Sequence, residues 1–328
     1  MPVAPKTLLV VNPKAARAAR IFPQVRETLS ATGISFDVHE TRAAGDATAA
    51  TRDALRRGFH TIVAVGGDGT ISETAAGFFD LTTGSPQLVF GDGVLGIVPA
   101  GTGNDFARGL TAGAGAAGNL STENWVELII HHLQMREQVR SDPVDLIYGT
   151  TDDGASRFIV LNVASLGLGP EAARSVTLQP AWLHSVPGSI RFVLAACAAL
   201  AHWRERFVLV TIDDRPPLKC QTNLAAIANN RFAGGGMMLA PAARIDDGKM
   251  DLMLACGLTR WGIARELLRI RKGGHLQNPC VSTFVAERVR IEAITSDDAL
   301  LVEADGNLRG HTAAEFCIVP KSLRLIRP

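Results

Sequence analysis

The stretch Ile62–Glu73, IVAVGGDGTISE, decides the fold. The run from Thr61 to Val65 is apolar without alternation, as in a strand covered on both faces. It meets Gly66, Gly67, Asp68, Gly69 and Thr70, and a helix is predicted from near Thr70 through TISETAAGFF. Glycines in such a turn allow positive φ and close backbone approach, so successive N–H groups can converge on one anion. The N-terminus of the helix adds its dipole. A plain strand-to-helix turn needs glycines, but it does not need Asp68 and Thr70 beside them. A phosphate site is therefore favoured, with Asp68 expected to serve a metal or to order the loop.

Working outward, strands and helices alternate. TLLVVN (7–12) and SFDVHET (35–41) are β-rich, and FPQVRETLSATG places Phe22, Val25 and Leu29 at helical spacing before Gly33. DATAATRDALRRG opens on Asp46 as N-cap and stops at Gly58, and VLGIVPA (94–100) is a further strand. This order predicts a parallel sheet with ligands beyond the carboxyl ends of its strands. A second polar turn follows in VPAGTGNDFAR (98–108). There Gly101 and Gly103 free the backbone, while Thr102, Asn104 and Asp105 supply short polar groups. It either faces the same crevice as the first turn or is a helix start capped by Asn104 or Asp105.

After about residue 140 the pattern becomes strand-dense, with two helices near Ser189–Trp203 and Arg260–Lys272. An antiparallel sandwich or barrel is predicted, with a boundary near Arg140–Pro143. The segment TAGAGAAGNL (111–120) is expected to be a flexible loop. NNRFAGGGMMLAPAARIDDGKMDL (229–252) carries Asp246, Asp247 and Asp251 on a turn that either holds Mg²⁺ or Ca²⁺ or is a solvated hairpin. In VEADGNL (302–308), Glu303, Asp305 and Asn307 alternate, as on one face of a strand, or form a plain turn.

Composition narrows the function classes. The 328 residues are 47% hydrophobic and 20% charged, with a formal net charge of +1, which argues against a nucleic-acid binder. Five scattered cysteines without a C-x-x-C pair suggest free thiols in a reducing cytosol. The N-terminus lacks signal-peptide character, and the longest apolar run, FVLAACAALA (192–201), is too short to span a bilayer. GDGVLG (91–96) precedes a strand, so it is not a dinucleotide fingerprint. No P-loop, H-E-x-x-H or G-x-S-x-G motif occurs. His131 and His132 are adjacent on a helix and face different ways, so they are not expected to share a metal.

In series, VVNP, GGDGT, PAGTGNDFAR, NVASLGLG (162–169), NNRFAGGG, LAPAARIDDGKMDL and ADG resemble the diacylglycerol kinase catalytic-domain family, soluble lipid kinases related to sphingosine and ceramide kinases and distantly to NAD kinases. The resemblance implies an α/β nucleotide-binding domain with a parallel, NAD-kinase-like sheet (1–140) and an antiparallel β-sandwich lipid domain (141–311). The C-terminal segment 312–328 would return to the first domain. It also implies that Gly66, Gly67, Asp68, Gly69, Thr70, Ile71 and Ser72 hold ATP phosphates, with Thr41, Gly101, Thr102 and Asn104 completing the site. Mg²⁺ would bind Asp247 and the backbone oxygens of Arg244 and Lys249, and Asp305 would be the base.

Two departures stand out. The usual N-P-x-S/T-G reads NPKAAR, which weakens the phosphate loop at Asn12, and the usual D-G-E reads Asp305-Gly306-Asn307. Without a charge at 307, Asp305 is expected to ionise more easily, with Glu303 as the substitute carboxylate. The expected function is ATP-dependent phosphorylation of a membrane lipid hydroxyl, on diacylglycerol, phosphatidylglycerol or a ceramide/sphingoid lipid. The protein would be cytoplasmic and touch the inner membrane surface transiently, with a homodimer left open. The alternatives are an NAD kinase and a catalytically weakened lipid- or nucleotide-binding regulator.

Overall fold

The computed structural model describes residues 6–15, 17–82, 84–113, 120–134, 141–177 and 198–328. Most of the expected 111–120 loop, much of the Ser189–Trp203 helix, Cys197 and Arg140 lie outside the described residues.

The first part is built as β1 (Lys6–Val11), α1 (Ala18–Ala31), β2 (Phe36–Glu40), α2 (Asp46–Arg56), β3 (Phe59–Gly66), α3 (Asp68–Ala76), β4 (Val94–Pro99), α4 (Asp105–Gly113) and α5 (Thr122–Gln134). β2, β1, β3 and β4 pair in that order, all parallel. The unbroken apolar run in β3 follows from its place in the middle of the sheet. Ile62 and Ala64 face one core with Ile71 of α3, while Val63 and Val65 face the other with Val25 and Leu29 of α1. Asp46 is the first helical residue rather than the cap. Gly45 takes the cap position at φ 81°, and the Asp46 carboxylate accepts the N–H of Arg42 at 2.8 Å.

The second part is strand-rich. It comprises β5 (Ser141–Thr151), β6 (Ser156–Val160), β7 (Val163–Gly167), α6 (Leu168–Thr177), β8 (Arg206–Ile212), β9 (Leu218–Ala228), β10 (Met250–Cys256), α7 (Arg260–Arg269), β11 (Val281–Ala286), β12 (Arg288–Ala293), β13 (Leu301–Ala304), β14 (Asn307–His311) and β15 (Ala314–Ile326). Its pairings are antiparallel, and its interior is a separate core around Val210, Ile227, Leu252 and Phe316. β15 pairs with β12 through its first half and runs antiparallel to β5 along most of its length. Its end lies parallel to β4, with Arg324 opposite Val94 and Leu325 opposite Leu95. Arg327 then ties this end of the chain to the strand-rich part, with Nε 2.9 Å from Asp142 and Nη2 3.0 Å from Asp246.

Two local expectations are overturned. Cys220 on β9 and Cys256 on β10 form a disulfide with Cα atoms 6.2 Å apart. The antiparallel register brings together residues 36 apart in sequence, which spacing alone does not reveal. Cys280 and Cys317 are free. Glu303, Asp305 and Asn307 do not share a strand face either. β13 ends at Ala304, Asp305 and Gly306 make a two-residue turn at φ 48° and 84°, and Asn307 pairs back to Ala304 on β14. Asp-Gly suits that turn because both positions need positive φ.

Candidate active site

The two glycine turns touch. A Cβ on Gly101 would lie 2.5 Å from the Gly67 Cα, and one on Gly66 would lie 2.5 Å from Thr70 Oγ1. The Ala100 N–H donates to the Gly66 carbonyl at 2.6 Å. Glycine is needed at 67 and 101 for close approach of backbone to backbone, and at 66 to make room for the Thr70 side chain. None of Gly66, Gly67, Gly69 and Gly101 has positive φ, contrary to one use expected of them. The helix also starts earlier than Thr70, with Gly67 in the cap position and Asp68 in the first turn. Asn12, set aside at the sequence level, donates from Nδ2 to Thr70 Oγ1 at 3.2 Å.

Asp68 reaches across to the second turn, where its Oδ1 accepts the Phe106 N–H at 3.0 Å. It thereby caps α4 from outside, a role the Asn104 and Asp105 side chains do not take. Asn104, at φ 51°, turns its Oδ1 back to accept the Gly101 N–H at 2.8 Å. Asp105 is buried and accepts the Gly235 N–H at 2.7 Å, tying α4 to the AGGG segment of the strand-rich part. Burial pushes its carboxyl above the ordinary range, and the nearby Asp68 charge adds to the rise while the Gly235 bond opposes it. Asn230 adds a second tie, donating from Nδ2 to the Phe106 carbonyl at 3.0 Å.

The β13–β14 turn delivers Asp305 to the same place. Its Oδ2 accepts from Ser72 Oγ and from the Leu161 N–H, each at 2.7 Å. Its Oδ1 accepts from the N–H groups of Asn162 at 3.0 Å and Val163 at 3.1 Å. Ser72 belongs to α3, so the candidate base is tied to the helix that begins at the glycine turn. Burial pushes the Asp305 carboxyl upward, against the pull of these four donors.

Beside it, Glu303 accepts from Ser165 Oγ at 2.8 Å and from the Gly306 N–H. Burial pushes the Glu303 carboxyl up to about 7, with the Asp305 charge adding to the rise. Arg309 is the nearby cation; burial lowers its pKa, opposed by Asp305, Glu73 and Glu303. Its guanidinium lies 5.3 Å from the Phe158 ring centroid. Asn307 donates from Nδ2 to the Asp305 backbone carbonyl at 3.3 Å, so it braces the turn and not the carboxylate.

A cavity of about 480 Å³ opens beside the glycine turns. Thr41, Gly67, Gly69, Thr70, Gly101 and Thr102 line it, joined by Asn12, Lys14, Arg42 and Glu73. Ile71 is buried in the core behind the turn, and Asn104 acts on the loop; neither lines the cavity. Lys14 and Glu73 were not singled out from sequence. Lys14 directly follows the Asn-Pro pair, and Glu73 sits one turn along α3.

The turn carrying Arg244, Asp247 and Lys249 lies apart from this cavity. Asp247 Oδ1 accepts the Lys249 N–H at 3.0 Å, and the Arg244 guanidinium pairs with Asp246 at 3.3 Å. Asp251, half-buried nearby, has its carboxyl pushed up to about 6 by burial and then by the Asp247 charge. A donor set of one carboxylate and two backbone carbonyls is all hard oxygen, which fits Mg²⁺ or Ca²⁺. Among the described residues no group of three His, Cys, Asp or Glu side chains is placed to hold a metal, so backbone oxygens would have to complete the set.

Comparison with known proteins bears on the family and the fold. Residues 6–139 match the family model described as the diacylglycerol kinase catalytic domain, and residues 163–327 match the YegS C-terminal NAD kinase beta sandwich-like domain. A Xanthomonas oryzae pv. oryzae protein named "Probable lipid kinase YegS-like" is 31% identical over 98% of this chain and 95% of its own. A "Diacylglycerol kinase" of Mycobacterium tuberculosis is 29% identical over 84% of this chain and 79% of its own. A crystal structure of a diacylglycerol kinase from Bacillus anthracis str. Sterne shares the fold at TM-score 0.66 and 20% identity, covering 98% of this chain and 97% of that one. With one domain model on each half and a relative above 30% identity along nearly its whole length, the chain belongs to the diacylglycerol kinase catalytic-domain family and is a YegS-like lipid kinase.

Proposed function

We propose that this kinase transfers the γ-phosphoryl group of ATP to the hydroxyl of a membrane lipid, with Asp305 as the base. The observation that carries the reading is the 2.7 Å bond between Ser72 and Asp305. It holds the candidate base against the helix whose N-terminus forms the phosphate turn. Phosphoryl transfer asks a protein mainly to position the reactants and neutralise charge. The unpaired N–H groups expected at the start of α3, with Lys14 and Asn12 on the same cavity, suit nucleotide phosphates there.

The roughly four acceptor positions of the Asp305 carboxylate are all taken. Three donors are fixed backbone N–H groups, while the fourth, the Ser72 hydroxyl, can rotate. In this reading the lipid hydroxyl takes the Ser72 position on Oδ2, and Asp305 receives its proton as the oxygen attacks phosphorus. The raised Asp305 pKa favours that transfer.

Mg²⁺ would be held structurally by Asp247 with the backbone oxygens of Arg244 and Lys249, and Asp68 would be the carboxylate to hold a cation bound with the nucleotide, which would supply charge neutralisation at the phosphates. Diacylglycerol, phosphatidylglycerol and ceramide-like lipids are the candidate acceptors. ATP as donor, and not the cysteines, supports a site of action at the cytoplasmic face of a membrane. The test is γ-labelled ATP with a panel of these lipids in mixed micelles, with NAD as control. Label in an organic-soluble phospholipid product supports the reading, and label in NAD alone contradicts it.

A further inference from the structure

α7 carries an outward face that the core does not explain. Thr259 caps it, its Oγ1 accepting the Gly262 N–H at 3.1 Å, and Ile263, Glu266 and the following Ile270 point inward. On the opposite side Trp261 is 87% exposed and Leu268 83% exposed. At 3.6 residues per turn, Trp261, Arg265 and Leu268 form one stripe, which Arg271 and Lys272 continue in the next turn. Arg265 leans weakly on Glu266, and Arg269 is committed to Glu266 and Gln277. Arg271 and Lys272 are exposed without an ion-pair partner among the described residues. A solvated helix face would show the cations but not the tryptophan and the leucine.

We infer that this face docks on an anionic lipid bilayer, Trp261 and Leu268 entering the interfacial region while Arg265, Arg271 and Lys272 meet the headgroups. Charge complementarity selects the occupant: a ring of cations around an indole and a leucine suits an anionic interface. The position of the face is also apt. A Cβ on Gly273, just after it, would lie 2.9 Å from Pro241 Cγ and 3.5 Å from Met238 Sδ, and His275 bonds the Leu239 carbonyl at 3.2 Å. These neighbours belong to the segment whose Gly235 N–H is held by Asp105 at the glycine turns. No helix among the described residues is long and apolar enough to cross a membrane, so an acceptor lipid has to be met at the surface. The choice of a bilayer as occupant rests on the lipid-acceptor reading above.

The test is sedimentation with vesicles of phosphatidylcholine alone or with phosphatidylglycerol added. Wild type is compared with W261A/L268A and R271Q/K272Q, and all three are also assayed on a short-chain diacylglycerol below its micelle concentration. Each cation near an anionic surface is worth about fivefold in partitioning, so R271Q/K272Q should bind about 25-fold more weakly, and salt should erase the difference. W261A/L268A should lose binding, and W261F should abolish any blue shift in emission on vesicle addition. Both double variants should keep wild-type turnover on the monomeric lipid. Equal vesicle binding by all three proteins, or salt-independent binding, would overturn the proposal, as would a dimer of the wild type that W261A/L268A dissolves. If wild type binds anionic vesicles yet phosphorylates no lipid, docking stands and the acceptor reading fails. If it phosphorylates the monomeric lipid but binds no vesicle, the reverse holds.

Discussion

In the proposed reading, Asp305 and Glu303 divide the work that an Asp-Gly-Glu sequence would place at 305 and 307. Asp305 faces α3 through Ser72, while Glu303 sits on β13 against Ser165. Replacing Asp305 with Asn keeps the shape but removes the base, and transfer should fall about 10²–10⁴-fold in a folded protein. Glu303 offers a second check through stability. Its folded pKa of about 7 lies above that of an exposed glutamate, so between these values the folded state binds the extra proton. Stability should therefore fall as pH rises from about 4.5 towards 7. Glu303→Gln should remove that part of the decline: relative to wild type, its melting temperature should be higher at pH 8 than at pH 5. Parallel melting curves at all pH values would show that Glu303 does not titrate there. Asn307→Glu should leave activity equal or raised, since Asn307 now bonds only the Asp305 backbone.

The two strand-turn-helix elements make the nucleotide side of the site, and their sequences announce them because strand, glycines and helix are contiguous. The reason for the glycines was less legible. Gly67 and Gly101 are 34 residues apart in sequence and meet only once β3 and β4 lie side by side. Gly101→Ala must push the turns apart, and overpacking of this kind costs about 1–3 kcal/mol. If that falls on nucleotide binding, affinity for a non-hydrolysable ATP analogue should drop about 5- to 150-fold by calorimetry. Unchanged affinity would show that the turns do not hold the phosphates. Asp68→Ala should lose transfer and also loosen α4, since it removes the acceptor for the Phe106 N–H. Losing a capping acceptor costs about 0.5–2 kcal/mol, which should show as a small fall in melting temperature. Lys14 and Glu73 escaped notice because a cation after Asn-Pro and a carboxylate one turn into a helix have many ordinary uses. Their places depend on the cavity.

At the scale of the molecule, β15 joins what the chain order separates. Phe316 enters the sandwich core, Leu323 and Leu325 enter one core of the parallel sheet, and Ile326 enters the other. Deleting residues 314–328 should therefore unfold both parts, read as loss of the circular dichroism melting transition and of ATP-analogue binding. A truncated chain that still binds the analogue normally would show the first part to be self-sufficient. Strand density and the alternation of β and α were visible from periodicity. The Cys220–Cys256 pairing and the Ser72–Asp305 bond were not, because both depend on tertiary register, the latter over 233 residues.

The Ser72–Asp305 bond holds the candidate base against α3, and it defines the decisive measurement. Wild type and Asp305→Asn, both shown to be folded and to bind ATP, are given γ-labelled ATP and a hydroxyl lipid in mixed micelles. Wild type should produce labelled phospholipid, and Asp305→Asn should produce about 10²–10⁴-fold less at equal nucleotide occupancy. Equal rates of lipid labelling by the two proteins would contradict the assignment of Asp305 as the base.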